Sequence, residues 1–411
     1  MLEVITFGCR LNAFESEVIR RRATEAGLAD AVIVNTCAVT NEAERQARQA
    51  IRRARRERPG ARIVVTGCAA EITPERYAAL PEVDQVLGNA EKLRAESYSG
   101  TAARVAVGAL ARADTAPASA VDGFDGRARA VLQVQQGCDH RCTFCIIPQG
   151  RGRNRSVPIG EIAAQARLLA ERGYRELVLT GVDICGFGAD LPGRPRLGQL
   201  ARRLLALVPE IARLRLSSLD PAAIDEDLWR LIAEEPRLMP HLHLSLQSGD
   251  DLVLKRMRRR HTRAAALALC RRARDLRPGL ALGADLIAGF PTESEAMFAG
   301  TLALAEEAGI DYLHVFPYSA RPGTPAARMP QLRGAVIHER AARLREAAGA
   351  ALRRSLTARL GTVAAVLVER GGRGHSEHYA PVRYAGPEAP GSILRLQLAA
   401  LEGDALRGVA A

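Results

Sequence analysis

Long apolar runs are missing from this 411-residue sequence: no stretch of about 18 or more apolar residues occurs. A membrane-spanning helix is therefore not predicted. The N-terminus also lacks the charged start and apolar stretch of a signal peptide, because residues 1–7 lead directly into a strand-like segment. We expect a cytoplasmic protein without a membrane partner.

Lysine is nearly absent as well, since Lys92 and Lys255 are the only two and every other basic residue is arginine. The formal net charge is nevertheless +12, which favours a polyanionic partner such as nucleic acid. A compositional bias toward arginine is the alternative explanation. The eight cysteines are not expected to form disulfides in the cytoplasm, which leaves metal ligands, catalytic thiols and buried thiols.

The first part of the chain, residues 1–112, alternates strands with helices. Short runs rich in Val and Ile at residues 2–7, 31–36 and 62–67 are separated by helical patterns, which predicts a doubly wound parallel sheet. A cysteine follows each strand by one or two residues: Cys9, Cys37 and Cys68. Because the carboxyl ends of parallel strands form the binding crevice of such sheets, we expect the three thiols at one edge.

A linker is predicted from about Leu110 to Arg127, and a second alternating series follows in residues 127–350. Six strand–helix units predict an open, partial (β/α)6 barrel with its chemistry at the C-terminal ends of the strands. A long helix, about residues 334–360, then leads into a small β module at residues 356–411.

Three cysteines lie close together after the first barrel strand, in the pattern C-x3-C-x2-C formed by Cys138, Cys142 and Cys145. Three thiolates hold three corners of a [4Fe–4S] cluster and leave one iron open for a small molecule. In proteins with this spacing the molecule is S-adenosylmethionine, which one electron from the cluster cleaves to a 5′-deoxyadenosyl radical. The alternatives are a zinc site completed by His140 or His241, and three buried free thiols.

These motifs resemble those of the radical S-adenosylmethionine methylthiotransferases over almost the whole chain. The matching segments are residues 6–12, 35–40, 66–69 and 138–145. The resemblance implies that Cys9, Cys37 and Cys68 hold a second [4Fe–4S] cluster, and that S-adenosylmethionine is the cofactor. It also implies that the C-terminal module is the RNA-binding module called TRAM.

Within the family, the sequence is most similar to the enzymes that act on N6-threonylcarbamoyladenosine in tRNA. The segments that carry this similarity are residues 135–138, 179–183, 215–221, 241–249 and 315–325. The resemblance implies methylthio insertion at C2 of adenosine 37, with the anticodon stem-loop of tRNA as partner and an unidentified electron donor and sulfur source. The alternatives are isopentenyladenosine in tRNA or a ribosomal protein as substrate, and a non-catalytic, metal-stabilised RNA-binding protein.

Polar, glycine and aromatic residues near the cluster loop and at the barrel strand ends are the candidates for binding S-adenosylmethionine. They are Phe144, Thr180, Gly181, Asp183, Ser217, Ser218, Gln247 and Asp285. Two basic clusters could contact the tRNA backbone, and the alternative for each is a solvated helix face. The first comprises Arg45, Arg48, Arg52, Arg55 and Arg56, and the second comprises Lys255, Arg256, Arg258, Arg259 and Arg260.

Overall fold

A computed structural model describes residues 1–108, 110 and 120–411. Residue 109 lies outside this range, and so does part of the predicted linker, residues 111–119. None of the helices in the described residues is both long enough and apolar enough to cross a membrane.

A parallel five-stranded sheet forms the N-terminal part, and its strands follow the chain in the order β1-β2-β3-β4-β5. Its elements are β1 (Leu2–Thr6), α1 (Arg10–Glu25), β2 (Ala31–Thr36), α2 (Asn41–Glu57), β3 (Arg62–Gly67), α3 (Cys68–Ile72), α4 (Pro74–Ala78), β4 (Gln85–Leu87) and β5 (Val105–Ala106). Every residue of β2 is buried, as expected for a strand covered on both faces.

Alternate side chains of β2 point to opposite faces of this sheet, and helices cover both faces. Val34 packs in one apolar cluster with Ile51 of α2, whereas Ile33 packs in another with Ile19 of α1. The parallel α/β sheet predicted from the strand pattern is therefore confirmed.

The central part is an open barrel. Its elements are β6 (Ala130–Gln133), β7 (Gln135–Gln136), α5 (Ile147–Arg151), β8 (Arg155–Ser156), α6 (Ile159–Glu171), β9 (Glu176–Thr180), α7 (Leu197–Leu207), β10 (Arg213–Leu216), α8 (Glu226–Glu234), β11 (His241–Gln247), α9 (Asp251–Met257), α10 (Arg263–Leu276), β12 (Ala281–Ala288), α11 (Glu295–Glu307), β13 (Tyr312–Pro317) and α12 (Gly334–Thr357).

Six of these strands are parallel and follow one another in space as β6-β9-β10 and β11-β12-β13. Two isolated parallel bridges, Leu214 to Leu238 and Leu219 to Leu244, join the two halves. Among the described residues β6 and β13 do not pair, so the barrel stays open on that side.

Side-chain caps determine where several helices begin, because each cap accepts a hydrogen bond from an otherwise unpaired backbone N–H. The capping residues are Thr40, Asp225, Asp250, Thr262 and Ser294.

The C-terminal part is a small closed barrel with the strand order β14-β15-β16-β18-β17. Its strands are β14 (Val363–Glu369), β15 (Arg373–Ser376), β16 (Pro381–Arg383), β17 (Ile393–Glu402) and β18 (Ala405–Ala410). Leu356 at the end of α12 packs into its core with Val366 and Leu406. The long helix therefore contributes directly to this module.

This small barrel docks against the N-terminal ends of the central strands. Arg215 donates to the carbonyl oxygens of Ser376 and Glu377, while the ring of His241 stacks on Tyr379 at 5.0 Å between centroids. The fully buried carboxylate of Glu176 pairs with Arg215 at 2.8 Å. The opposite ends of the strands, where chemistry is expected, are left open.

Candidate metal centres and active site

The loop with Cys138, Cys142 and Cys145 depends on a glycine. Gly137 has φ +74°, and a Cβ there would lie 1.8 Å from the carbonyl oxygen of Arg153. The loop is closed by a hydrogen bond from the Cys138 N–H to the Gly152 carbonyl and is anchored at Thr143, whose hydroxyl donates to the Arg256 carbonyl at 2.8 Å. The three thiols are therefore held in one tight turn at the barrel mouth.

N–H groups point at the sulfurs of this loop. The His140 backbone N–H donates to Cys138 Sγ at 3.4 Å, and Arg259 Nη1 donates to Cys142 Sγ at 3.6 Å. Burial raises the pKa of the Cys138 thiol to about 12 and that of Cys145 to about 11. Without metal these thiols are protonated, so iron must displace their protons, and the N–H donors suit the thiolate ligands that result.

The second group of thiols lies at the carboxyl ends of three adjacent strands. Cys9 follows β1, Cys37 follows β2 and Cys68 begins α3 directly after β3. Burial, followed by the neighbouring Cys68 thiol, raises the pKa of Cys37 to about 12. Solvent reaches Cys9, yet enough protein surrounds it that desolvation also raises its pKa.

A short helix connects the two thiol groups. Helix α5 begins two residues after Cys145 and packs against α3, so that a Cβ at Gly150 would lie 3.3 Å from the Cβ of Cys68. At the end of α5, Arg151 Nε donates to Cys68 Sγ at 3.0 Å. The edge of the N-terminal sheet therefore faces the mouth of the central barrel.

A cavity of about 190 Å³ lies between these two edges. Three of the residues expected to bind S-adenosylmethionine line it: Phe144, Gln247 and Asp285. Val39 and Thr40 of the N-terminal part line it as well, together with Phe316 near the end of the last barrel strand and Tyr318 directly after that strand. Both parts of the molecule thus contribute to one cavity next to Cys145.

The other candidate residues lie at the ends of β9 and β10. Thr180 and Ser217 are buried, whereas Ser218 is exposed. A Cβ at Gly181 would lie 2.7 Å from Gln135 Oε1, and Asp183 Oδ2 lies 3.0 Å from His140 Nε2. Thr180, Gly181 and Asp183 therefore lie beside the Cys138 loop, and none of these candidates is among the residues that line the cavity.

The zinc alternative needs His140 or His241 as its fourth ligand, and the structure excludes one of them. His241 stacks on Tyr379 at the opposite end of the barrel, where burial holds its pKa well below the ordinary value. It is therefore not a fourth ligand for the Cys138 loop. His140 lies beside Cys138, with its Nε2 atom 3.0 Å from Asp183 Oδ2.

Gln135 and His243, which were not among the candidates, contact Asp183 and Asp285. Gln135 Oε1 accepts hydrogen bonds from the backbone N–H groups of Val182 and Asp183 and so shapes the end of β9. Asp285 has its pKa lowered to about 2: burial opposes ionisation, but hydrogen bonds from His243 and His314 outweigh it. The signal for these contacts is weak in sequence, because it depends on side chains from different strands.

Not every member of the two basic clusters is exposed to solvent. Arg55 is half-buried and donates to the carbonyl oxygens of Pro59, Ala61 and Glu82. Arg259 is only 8% exposed, because it binds Cys142, Asp220 and the Ser245 carbonyl. Lys255, Arg258 and Arg260 are exposed.

Comparison with known proteins defines the class. The Radical SAM superfamily model matches residues 132–305, and the model of Uncharacterized protein family UPF0004 matches residues 1–88. The structure of the radical S-adenosylmethionine methyltransferase TsrM from Kitasatospora setae has a TM-score of 0.55 and 15% identity, covering 79% of this chain and 76% of its own. At that identity the likeness concerns the fold alone.

Relatives with higher sequence identity show which family within this class the chain belongs to. A threonylcarbamoyladenosine tRNA methylthiotransferase of Rickettsia prowazekii is 48% identical over 97% of this chain and 95% of its own length. The protein of that name from Bacillus subtilis is 38% identical over 82% and 78%. A tRNA-2-methylthio-N(6)-dimethylallyladenosine synthase of Sorangium cellulosum is 38% identical over 89% and 81%. The chain belongs to the radical SAM methylthiotransferase family.

Proposed function

We propose that the protein inserts a methylthio group at C2 of N6-threonylcarbamoyladenosine 37 in tRNA and holds two [4Fe–4S] clusters for this reaction. The observation that carries the proposal is that one group of three thiols lies at the edge of the N-terminal sheet and the other at the mouth of the central barrel, joined by the contact from Arg151 to Cys68. A cavity next to Cys145 lies between the two parts. The 48% identity to a relative named for this substrate supports threonylcarbamoyladenosine as the modified base.

The chemistry requires one-electron steps, because the C2–H bond of an adenine carries no acidic proton for a general base. When bound, the clusters and S-adenosylmethionine supply that chemistry. The residues of this chain hold and orient the reactants. In the proposal Cys138, Cys142 and Cys145 bind the cluster that receives S-adenosylmethionine, and Cys9, Cys37 and Cys68 bind the other.

S-adenosylmethionine would lie between the Cys138 loop and the barrel strand ends. Phe144, Gln247 and Asp285 face the cavity next to Cys145. Gln247 has φ +70°, an uncommon backbone conformation for a non-glycine residue that turns the chain at the end of β11. Thr180, Gly181, Asp183, Ser217 and Ser218 would complete the site from β9 and β10.

The substrate base would enter the same cavity from the open side of the barrel. A base in a stem-loop must leave its stack to reach a buried centre, and aromatic side chains commonly stack on such flipped bases. Phe316 is 37% exposed and lines the cavity, so it is the proposed stacking partner.

The phosphate backbone of the anticodon stem-loop would contact basic residues around the barrel mouth. Lys255, Arg258 and Arg260 on and after α9 are exposed there, and phosphate contacts of this kind make binding steeply salt-dependent. The proposal includes RNA binding by the C-terminal barrel, a cytoplasmic location, and a separate electron donor and sulfur source.

The test is anaerobic reconstitution followed by assay on tRNA. About eight irons per chain, falling to about four in a Cys138→Ala, Cys142→Ala, Cys145→Ala triple variant, are expected for two clusters. The loaded enzyme is then incubated with S-adenosylmethionine, sulfide and dithionite. The substrates are stem-loops that carry threonylcarbamoyladenosine or isopentenyladenosine, and the products are identified by mass spectrometry.

Methylthio transfer to threonylcarbamoyladenosine alone supports the proposal. Transfer only to isopentenyladenosine would favour the second candidate, for which the Sorangium cellulosum relative is the specific observation. Tight tRNA binding with bound zinc and no cleavage of S-adenosylmethionine would indicate a non-catalytic RNA-binding protein and would refute both.

A further inference from the structure

A network of buried charges lies between the two thiol groups. The side chains of Arg151, Glu15 and Lys92 are at most 1% exposed. Arg151 binds both carboxylate oxygens of Glu15, with Nη2 to Oε2 at 2.8 Å, and Lys92 Nζ reaches Oε2 of the same carboxylate at 2.7 Å. Such groups are almost never fully buried unless they are paired, so the network is a built feature of the fold.

The Nε–H group of Arg151 donates a hydrogen bond to a thiol. Its two terminal nitrogens are occupied by Glu15 and by Asn12 Oδ1, and its Nε–H donates to Cys68 Sγ at 3.0 Å. Because a guanidinium is planar and rigid, fixing its terminal nitrogens also fixes the direction of the third donor. The hydrogen bond to Cys68 is therefore aimed by Glu15.

The same network is attached to both thiol groups through the chain. Arg151 ends the helix that begins just after Cys145, and Glu15 lies on the helix that begins just after Cys9. Gln136, two residues before Cys138, also donates to Glu15 Oε1 at 3.1 Å. A shift of Arg151 would therefore also displace residues next to both thiol groups.

We propose that Arg151 is a positioning residue that tunes the N-terminal cluster by donating a hydrogen bond to the Cys68 sulfur, with Glu15 setting its direction. The inference rests on the proposed second cluster. A hydrogen bond from a charged donor stabilises the reduced, more negative state of a cluster more than the oxidised state, and so raises its reduction potential. Loss of the donor should lower that potential.

The experiment uses the Cys138→Ala, Cys142→Ala, Cys145→Ala variant, in which the N-terminal cluster is the only one left. Two changes are made separately in this variant. The first is Arg151→Lys, whose single ammonium group cannot reproduce the guanidinium geometry that reaches Glu15 and Cys68 together. The second is the double change Arg151→Met with Glu15→Gln. The double change removes one positive and one negative charge together, so it deletes the hydrogen bond without altering the net charge. The matched control is Arg153→Met two residues further on, where the side chain is 84% exposed and pairs with Asp139 at 3.6 Å.

The measurements are iron per chain and the midpoint potential from a redox titration followed by electron paramagnetic resonance. At a fixed potential the ratio of reduced to oxidised cluster should fall about tenfold in both Arg151 variants, which is ~59 mV for a one-electron couple. The control should match the parent.

The possible failures are distinguishable. A parent variant that binds no iron contradicts the two-cluster proposal itself. Normal iron with an unchanged midpoint in both Arg151 variants overturns the role of Arg151 and leaves the two clusters standing. If the double variant does not load, Arg151→Lys decides the matter alone, because it keeps a cation beside Glu15.

Discussion

Replacing Gly8 with alanine should remove the N-terminal cluster and leave the other intact. Gly8 has φ +90°, and a Cβ added there would lie 2.6 Å from the Cβ of Cys37 and 2.7 Å from its Sγ. Ordinary carbon contacts are about 3.5–4.0 Å, so Cys37 would have to move by roughly 1 Å. Metal–ligand distances tolerate only about 0.2 Å, and the displaced sulfur would no longer reach its iron.

The cost to stability should be moderate in comparison. A non-glycine residue in the left-handed region costs about 1–2 kcal/mol, and an added methyl group in a packed site costs about 1–3 kcal/mol. The chain should therefore fold, and iron analysis after anaerobic reconstitution should give about four irons per Gly8→Ala chain against about eight for the wild type. Cleavage of S-adenosylmethionine should continue without methylthio transfer.

The control for Gly8→Ala is Gly27→Ala. Gly27 has a similar φ of +74°, but a Cβ there would meet nothing within 4 Å, so this variant carries the backbone strain without the clash. It should bind the full complement of iron. A folded Gly8→Ala protein with about eight irons and an unchanged cluster spectrum would refute the placement of Cys37 as a ligand.

Three further predictions concern charge. Glu176→Gln should lower the free energy of unfolding by ~3 kcal/mol at pH 7, because Arg215 and the neighbouring arginines outweigh burial and lower the carboxyl pKa to about 2. This contribution is complete above the unfolded pKa of about 4.3 and is lost as pH falls toward 2, so urea titrations of wild type and variant should converge in that window. Iron binding at pH 8 should release about one proton per thiol at Cys138 and Cys145, whose pKa values are about 12 and 11. Calorimetry in two buffers of different ionisation enthalpy measures this release, and identical heats would contradict it. Arg258→Gln should reduce the slope of log affinity for tRNA against log salt by about 1 with normal iron content, whereas Arg259→Gln should lose iron at the Cys138 loop and leave the slope unchanged. The reverse pattern would contradict both assignments.

Elements with a strong local signal were predictable from sequence. Helix α2 (Asn41–Glu57) is one of the helical patterns between the predicted strands, and it forms because Thr40 caps it and its buried alanines recur with helical spacing. Strands β4 and β5 were missed, since each has only two or three residues and depends on pairing with its neighbour. The C-terminal part was predicted only as a small β module, because its barrel closes through a long-range parallel pairing of β16 with β18.

The thiols of the candidate site were predictable because their spacing and their places after strands are local properties. The contacts that support these thiols were not predictable. The donors to Cys68 and Cys142 come from residues 83 and 117 positions away, and only the packed structure brings them together. Arg259 shows the consequence: in sequence it belongs to a basic run, whereas in the structure its side chain is nearly buried and donates to the Cys142 sulfur. A run of arginines therefore does not reveal which of its members face solvent.

The connection between the two parts of the site is polar where apolar packing would have sufficed for stability. Burying Glu15, Arg151 and Lys92 carries a desolvation cost that their mutual attraction roughly offsets, so the network contributes little net stability by itself. An apolar contact of the same size could join α5 to α3, but it could not direct an N–H group at the Cys68 sulfur. The charged network orients this donor. In the proposal, the reduction potential of the cluster held by Cys9, Cys37 and Cys68 therefore depends on a residue of the segment that follows the other three cysteines.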